Sequence, residues 1–129
     1  MNIPVFANGD VWTAEDAVNI LERTGADAAL IGRGSFGDPW LFERGNAALR
    51  GEPIPPLPPL KDRIDEALEQ FELAAALKGE KIAVLEARKQ FCWYLRGVAH
   101  AGSYKQDICS MNTLEELRHI ARLIQLNLR

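Results

Sequence analysis

Two short loops that contain glycine have residue types suited to phosphate binding. They are Asn8-Gly9-Asp10 and Gly32-Arg33-Gly34, and each directly follows an apolar run. A glycine lets a phosphate oxygen approach the backbone N–H groups, and Arg33 adds a permanent positive charge with several donors. The alternative is that Gly9 and Gly34 only permit tight turns. The two loops are therefore candidates for one phosphate site.

A second candidate site combines basic and aromatic side chains in the later part of the chain. Arg88, Lys89 and Arg96 lie on or near one predicted helix, where Lys89 and Arg96, seven residues apart, share nearly the same face. Such groups can neutralise phosphates, and an aromatic ring beside them can pack on a ribose or an unpaired base, although we expect Trp93 to lie mostly in the core in either case. Lys105 lies in the next predicted loop and extends this surface. The alternative is a solvated helix face with the aromatic rings in the core.

Cysteine and histidine give no further site. Cys92 and Cys109 are far apart in the sequence and lack metal-ligand spacing, so we expect both to be reduced and structural. His100 and His119 are isolated from any nucleophile pattern. We therefore predict no catalytic residue and no metal site.

Composition and charge are those of an ordinary globular protein. Of 129 residues, 47% are hydrophobic and 26% charged, and the net charge is −3. A charge this close to zero argues against non-specific nucleic-acid binding by the whole chain, although a local basic face remains allowed. With no apolar run of membrane-spanning length and no signal-peptide pattern, we expect a cytoplasmic protein without a membrane partner.

Residues 1–50 alternate between strand and helix patterns. Residues 3–7 and 28–31 read as buried strands, and helices are predicted from Thr13 to Gly25 and over 39–49. Two parallel strands with helices on one side cannot bury both faces of their sheet. The pattern therefore suggests the α/β tail of a (β/α)₈ TIM barrel, its last two strands, where loops commonly bind phosphate.

A proline-rich linker, residues 51–60, separates this region from a helical domain over residues 61–129. The linker has five of the seven prolines, which exclude a helix or central strand. We predict an all-α bundle, so that the chain is predominantly helical. Three helices are expected. The first buries Ile64, Leu68, Phe71 and Ala75, and the second, over residues 81–99, buries Leu85, Cys92, Leu95 and Ala99. The final helix begins with a capping box at Thr113 and buries Leu117, Ile120, Ile124 and Leu128.

Several motifs resemble the bacterial tRNA-dihydrouridine synthases, most closely their B-type subfamily. In the first region these are Ile3-Pro4-Val5-Phe6-Ala7-Asn8-Gly9-Asp10 and Ile31-Gly32-Arg33-Gly34 with Gly37-Asp38-Pro39-Trp40-Leu41-Phe42. In the helical region Glu86-Ala87-Arg88-Lys89-Gln90-Phe91-Cys92-Trp93-Tyr94-Leu95-Arg96-Gly97 is similar to the helical tRNA-binding domain of these enzymes. The resemblance covers nearly the whole chain and keeps the family's order.

The resemblance implies a flavoprotein oxidoreductase of tRNA processing. Such enzymes use FMN, reduced by NADPH, to reduce the C5–C6 double bond of uridines in tRNA. Carried over, the FMN-phosphate site comprises backbone groups of Asn8, Gly9, Asp10, Gly32 and Arg33. The RNA-binding residues are Arg88, Lys89, Arg96 and Lys105.

The chain also departs from the family. The proton-donating cysteine and the flavin-contacting lysine of these enzymes belong to earlier strands, and Cys92 and Cys109 fall in the helical region instead. We therefore expect a C-terminal fragment that is inactive alone and can self-associate through exposed strands. Two alternatives remain open: an autonomous helical module that binds RNA or protein, and the tail of another phosphate-binding barrel.

Overall fold

The computed structural model describes residues 3–128 and divides into two compact units at Leu57 and Pro58. The structure is mostly helical, with one small parallel sheet. None of the helices described within residues 3–128 is long and apolar enough to cross a membrane.

The first unit contains strands β1 (Phe6–Asn8) and β2 (Ala28–Leu30), helices α1 (Ala14–Thr24) and α2 (Leu41–Leu49), and a short 3-10 segment (Arg33–Ser35). The strands pair in parallel, which confirms the predicted strand-helix-strand unit. The first strand begins later than expected, at Phe6. Before it, Val5 is held by Asp27, whose Oδ2 accepts from the Val5 N–H at 2.8 Å and whose own N–H donates to the Val5 carbonyl.

Helix α1 covers only one face of the sheet. Val11, Ala17 and Ile20 form a small core on which Ala7 and Ala29 pack. The apolar runs resemble strands covered on both faces, but Phe6 is 64% exposed and Leu30 is 51% exposed, in agreement with the prediction that two strands with helices on one side cannot bury both faces. The predicted helix boundaries at Thr13 and Gly25 are confirmed, with Gly25 in the left-handed conformation.

The second unit contains α3 (Leu60–Lys78), α4 (Glu80–Tyr94), α5 (Gly102–Ser110) and α6 (Leu114–Asn127). Between α2 and α3, residues 52–59 adopt no helix or strand. The core lies between α3, α4 and α6, where Phe71 packs on Phe91 and Tyr94 at centroid distances of 5.6 and 6.1 Å. Each of these rings is almost completely buried.

Two predictions for this unit are wrong. The second helix ends at Tyr94, not at residue 99, and its buried face carries Ala83, Val84, Ala87, Phe91 and Tyr94 while Leu85 is exposed. Residues 102–110, expected to include a loop at Lys105, form α5. In the final helix Leu117, Ile120, Ile124 and Leu128 are all buried as predicted. Only half of the predicted capping box forms: the Thr113 hydroxyl accepts from the Glu116 N–H, whereas the Glu116 carboxylate accepts from the Asn112 N–H.

Candidate functional site

The two glycine loops meet at one edge of the sheet. In the parallel register Asn8 lies opposite Leu30, so both strands end at the same edge of the sheet. The loops enclose a cavity of about 290 Å³. Its lining consists of the two loops and the two residues that follow the first loop: Asn8, Gly9, Asp10, Val11, Trp12, Gly32, Arg33 and Gly34. We call this cavity the loop cavity.

The start of α1 holds the first loop in place. Thr13 caps the helix, and the Asp16 carboxylate accepts from the N–H groups of both Trp12 and Thr13 at 3.0 Å. Asp16 is thus used for helix capping. Just before this anchor Asp10 has a φ of 48°, a left-handed conformation that aspartate tolerates better than most residues and that often occurs at functional sites.

The two glycines of the second loop have different roles. Gly34 is buried, and a Cβ there would lie 1.8 Å from the Val11 carbonyl oxygen. It therefore allows the 3-10 segment to pack directly on the first loop. At Gly32, by contrast, an added Cβ would meet nothing within 4 Å, and the same is true at Gly9. The positions open to a ligand are therefore Gly9 and Gly32, while Gly34 serves packing.

The peptide between Gly32 and Arg33 directs the Arg33 N–H away from the 3-10 segment. The Gly32 carbonyl accepts from the N–H and the hydroxyl of Ser35, at 3.1 and 2.8 Å. Because a trans peptide directs its N–H opposite to its carbonyl, the N–H of Arg33 points away from that segment. The Arg33 side chain is exposed. An anion at this loop can therefore receive both a backbone donor and a guanidinium.

The charge and size of the loop cavity suit a small anionic group. Arg33 contributes one positive and Asp10 one negative charge to the lining, so an anion is expected to bind through the Arg33 guanidinium together with backbone N–H groups. The volume lies just below the range of about 300–1,000 Å³ that is usual for small-molecule sites. The cavity therefore matches a phosphate with its adjoining atoms better than a whole dinucleotide.

In the helical unit one of the four predicted basic residues, Arg88, is engaged within the chain. Arg88 is partly buried and directed at the connection between α5 and α6. Its Nε donates to the Met111 carbonyl at 2.9 Å and its Nη2 donates to Asn112 Oδ1 at 2.8 Å. Arg88 therefore joins α4 to that connection, a structural role that sequence spacing alone did not reveal.

Lys89 and Trp93 do share the outer side of α4. The Lys89 ammonium lies 5.2 Å from the centre of the Trp93 ring, within cation–π range. Lys89 is exposed and Trp93 is half-buried, so the ring is not fully part of the core. Arg96 is exposed and follows the end of α4, whereas Lys105 is half-buried on α5.

The structure also brings together two residues that the sequence analysis left apart. Cys92 on α4 and Cys109 on α5 are both free, and burial, with a smaller contribution from the neighbouring Cys109, raises the pKa of the Cys92 thiol above its ordinary value. No local spacing motif in the sequence indicates that these two cysteines are neighbours, because their positions depend on the packing of α4 on α5. Within residues 3–128, no group of three or more His, Cys, Asp or Glu side chains is placed to hold a metal ion.

Comparison with known proteins identifies the family. Residues 1–127 match the family described as dihydrouridine synthase (Dus). The chain belongs to the dihydrouridine synthase family. Because the match runs through both units, the loop cavity and the basic residues of α4 all lie within the dihydrouridine synthase sequence.

Among curated dihydrouridine synthases, tRNA-dihydrouridine synthase B of Pseudomonas aeruginosa is 41% identical over 108 residues, which are 81% of this chain and 32% of that protein. A probable tRNA-dihydrouridine synthase of Mycobacterium tuberculosis is 37% identical over 115 residues, 89% of this chain and 30% of that protein. One of Rhizobium leguminosarum is 43% identical over 101 residues, 78% and 30% of the two chains. The chain thus spans about a third of the length of these relatives.

Proposed function

We propose that this chain forms the flavin-phosphate-binding and tRNA-contacting part of an FMN-dependent tRNA-dihydrouridine synthase of the B type. The observation that supports it most is the loop cavity, which joins two parallel strand ends and leaves Gly9 and Gly32 open to a ligand. The named relatives support tRNA as the substrate. In this proposal the chain corresponds to the last two strands of a barrel, a proline-rich linker at 51–60 and a helical domain.

In the proposed site the phosphate of FMN is held by backbone N–H groups of Asn8, Gly9, Asp10, Gly32 and Arg33, with the Arg33 guanidinium as the charged partner. When bound and reduced by NADPH, FMN supplies the reducing equivalents for the uridine C5–C6 double bond. These residues bind and orient the cofactor and transfer no proton. Cys92 and Cys109 lie in the helical unit, on α4 and α5, and have no part in this step.

For tRNA, the proposed contact now rests mainly on Lys89. Its exposed ammonium beside Trp93 pairs a positive charge with an aromatic ring, as in many RNA sites. Arg96 and Lys105 remain proposed contacts. Arg88 is proposed to act mainly by holding α4 against the α5–α6 connection, because its guanidinium already donates two hydrogen bonds within the chain.

The proposal includes burial of the exposed strand side chains. Phe6 and Leu30 project large apolar surfaces from the two strands, and exposed sheet edges readily take further strands. We propose that they are covered by further barrel strands or, in this chain alone, by a second copy. Sedimentation velocity at several protein concentrations tests the second case, and a monomer throughout would exclude it.

The experiment that tests the cofactor proposal compares two flavins that differ only in the phosphate. FMN and riboflavin are titrated with the chain, and binding is followed by the change in flavin fluorescence. A phosphate site predicts clearly tighter binding of FMN. Equal affinity for both would contradict the proposed site, and binding of neither would mean that residues 1–129 do not form it without further strands.

A further inference from the structure

Helices α3 and α4 form a hairpin, joined by Gly79, whose outer side carries exposed apolar residues near its tip. Leu73 and Leu77 on α3 are 60% and 76% exposed, and Ile82 and Leu85 on α4 are 52% and 50% exposed. Leu73 and Leu77 also line a groove between the two helices. Apolar patches of this kind on a protein surface commonly mark a site of association. We call these four residues the tip patch.

Away from the tip, the exposed stripes of the two helices carry opposite charges. Residues three or four apart lie on the same side of a helix. On α3 the exposed residues at this spacing are acidic and then apolar: Asp62, Glu66, Glu69, Leu73 and Leu77. On α4 they are apolar and then basic: Ile82, Leu85 and Lys89. The hairpin therefore presents an apolar tip with an acidic stripe on one helix and a basic residue on the other.

Side-chain pairs within the hairpin show which residues of the two helices lie at the same level. The Gln70 side-chain amide donates to the Gln90 side-chain oxygen, and both glutamines line the groove. Glu69 and Lys89 each precede one of these glutamines by one residue, so they lie within about 3 Å of a common level and about 100° round their helices from the groove. The two charges are thus equally far from the tip, on the two flanks of one face.

We propose that this face is an interface between two copies of the chain. A two-fold axis parallel to the hairpin places α3 of one copy over α4 of the other and keeps every residue at its own level. The two tip patches then bury each other. Glu69 of each copy meets Lys89 of the other, so that the contact occurs twice. The result is an apolar centre with a polar rim, the usual arrangement of a protein interface.

Charge complementarity favours a second copy over a different partner. An acidic stripe alone would suit a basic partner, but here an acidic and a basic flank lie at matching distances from the tip. A second copy supplies both charges in the positions required. Lys78, at the tip, is already paired with Glu86 at 2.7 Å and adds no net charge to the centre.

The interface requires neither flavin nor tRNA, so its failure leaves the proposed function untouched. Lys89 has two uses that exclude each other, because a tRNA and a second copy cannot both cover it.

The first test introduces a charge into the tip patch and measures the oligomeric state. Sedimentation velocity over a range of protein concentrations should show a monomer–dimer equilibrium for the parent chain. Leu77→Glu should raise the dissociation constant roughly tenfold or more. Leu126→Glu is the matched control, because Leu126 is also 76% exposed and also one residue before the end of its helix, but lies on α6. A monomeric parent, or equal effects of the two substitutions, would overturn the proposal.

The second test exchanges the rim charges and separates this interface from association through the exposed strands. Lys89→Glu and Glu69→Lys each place like charges opposite each other twice, so each variant alone should dissociate. An equimolar mixture restores opposite charges at both contacts and should dimerise about as tightly as the parent. Both residues are exposed, and circular dichroism checks that both variants keep the parent's helix content. Single variants that dimerise like the parent, or a mixture that stays monomeric, would contradict the two-fold arrangement.

Discussion

Replacing Gly34 by alanine should damage the loop cavity through a steric clash between the two loops. The added Cβ would lie 1.8 Å from the Val11 carbonyl oxygen and 2.9 Å from its carbon, where ordinary contact begins at 3.4 Å. The neighbour is backbone, so no side-chain rotation can relieve the overlap. Overpacking of this kind costs about 1–3 kcal/mol, more than the ~0.4–1 kcal/mol that a glycine-to-alanine change gains by restricting the unfolded chain. We expect a net loss of about 1–2 kcal/mol in unfolding free energy.

The matched control is Gly45→Ala in α2. Gly45 is also buried, but an added Cβ would make only an ordinary contact, 3.8 Å from the Ala17 Cβ. Because alanine favours a helix interior over glycine, this variant should be as stable as the parent or more stable by up to about 1 kcal/mol. Urea unfolding followed by circular dichroism measures both. Equal stability of the Gly34 and Gly45 variants would refute the packing role assigned to Gly34.

Three further changes test other parts of the structure. Arg88→Ala should lower the unfolding free energy by about 1–2 kcal/mol, because it leaves the Met111 carbonyl without its charged donor. Lys89→Ala should weaken tRNA binding and reduce the slope of log K against log salt by roughly 0.7–0.9, since one phosphate contact is lost. Asp16→Ala should destabilise the chain by about 1 kcal/mol through loss of two accepted hydrogen bonds at the start of α1. Urea unfolding measures the first and third, and filter binding at several salt concentrations measures the second.

Controls separate these effects from general ones. Lys61→Ala removes the same charge from an exposed position on α3 and should leave the salt slope of tRNA binding nearly unchanged. An equal decrease in the salt slope of tRNA binding in Lys89→Ala and Lys61→Ala would show that only the net charge of the chain affects binding. Arg88→Ala with parental stability would mean that its two hydrogen bonds contribute little. For Asp16→Ala, an unchanged urea midpoint would speak against the capping interaction.

The local elements of the first unit were predictable because they depend on short-range chemistry. A capping threonine and a C-terminal glycine fix the ends of α1, and the order strand-helix-strand favours a parallel pair. The meeting of the two glycine loops then follows from that pairing. The distinction between Gly32 and Gly34 did not follow, because it depends on a close approach to the Val11 carbonyl.

Helix α4 shows why hydrophobic spacing can mislead. Apolar residues lie on both its inner and outer sides, so the sequence supports more than one buried face. The structure selects the face with Phe91 and Tyr94, because these large rings pack on Phe71 of α3. Leu85 is consequently exposed. Such a choice depends on a neighbour that is distant in sequence.

The basic residues of the helical unit were found by their type, but their roles depend on packing. Arg88 and Lys89 are adjacent in sequence, yet successive residues on a helix point about 100° apart. One is therefore directed at the α5–α6 connection and the other at solvent. The helical position of Lys105 was equally hidden, because this part of the chain was expected to form a loop.

The most direct test of the proposed cofactor site is the ratio of FMN to riboflavin affinity in Arg33→Ala. The parent chain and Arg50→Ala serve as references, because Arg50 is an exposed arginine of the same unit that pairs with Glu52. A charge-assisted contact to phosphate is worth about 1.5–3 kcal/mol, so the ratio should fall roughly tenfold or more in Arg33→Ala and stay constant in Arg50→Ala. An unchanged ratio in Arg33→Ala would contradict phosphate binding at this loop.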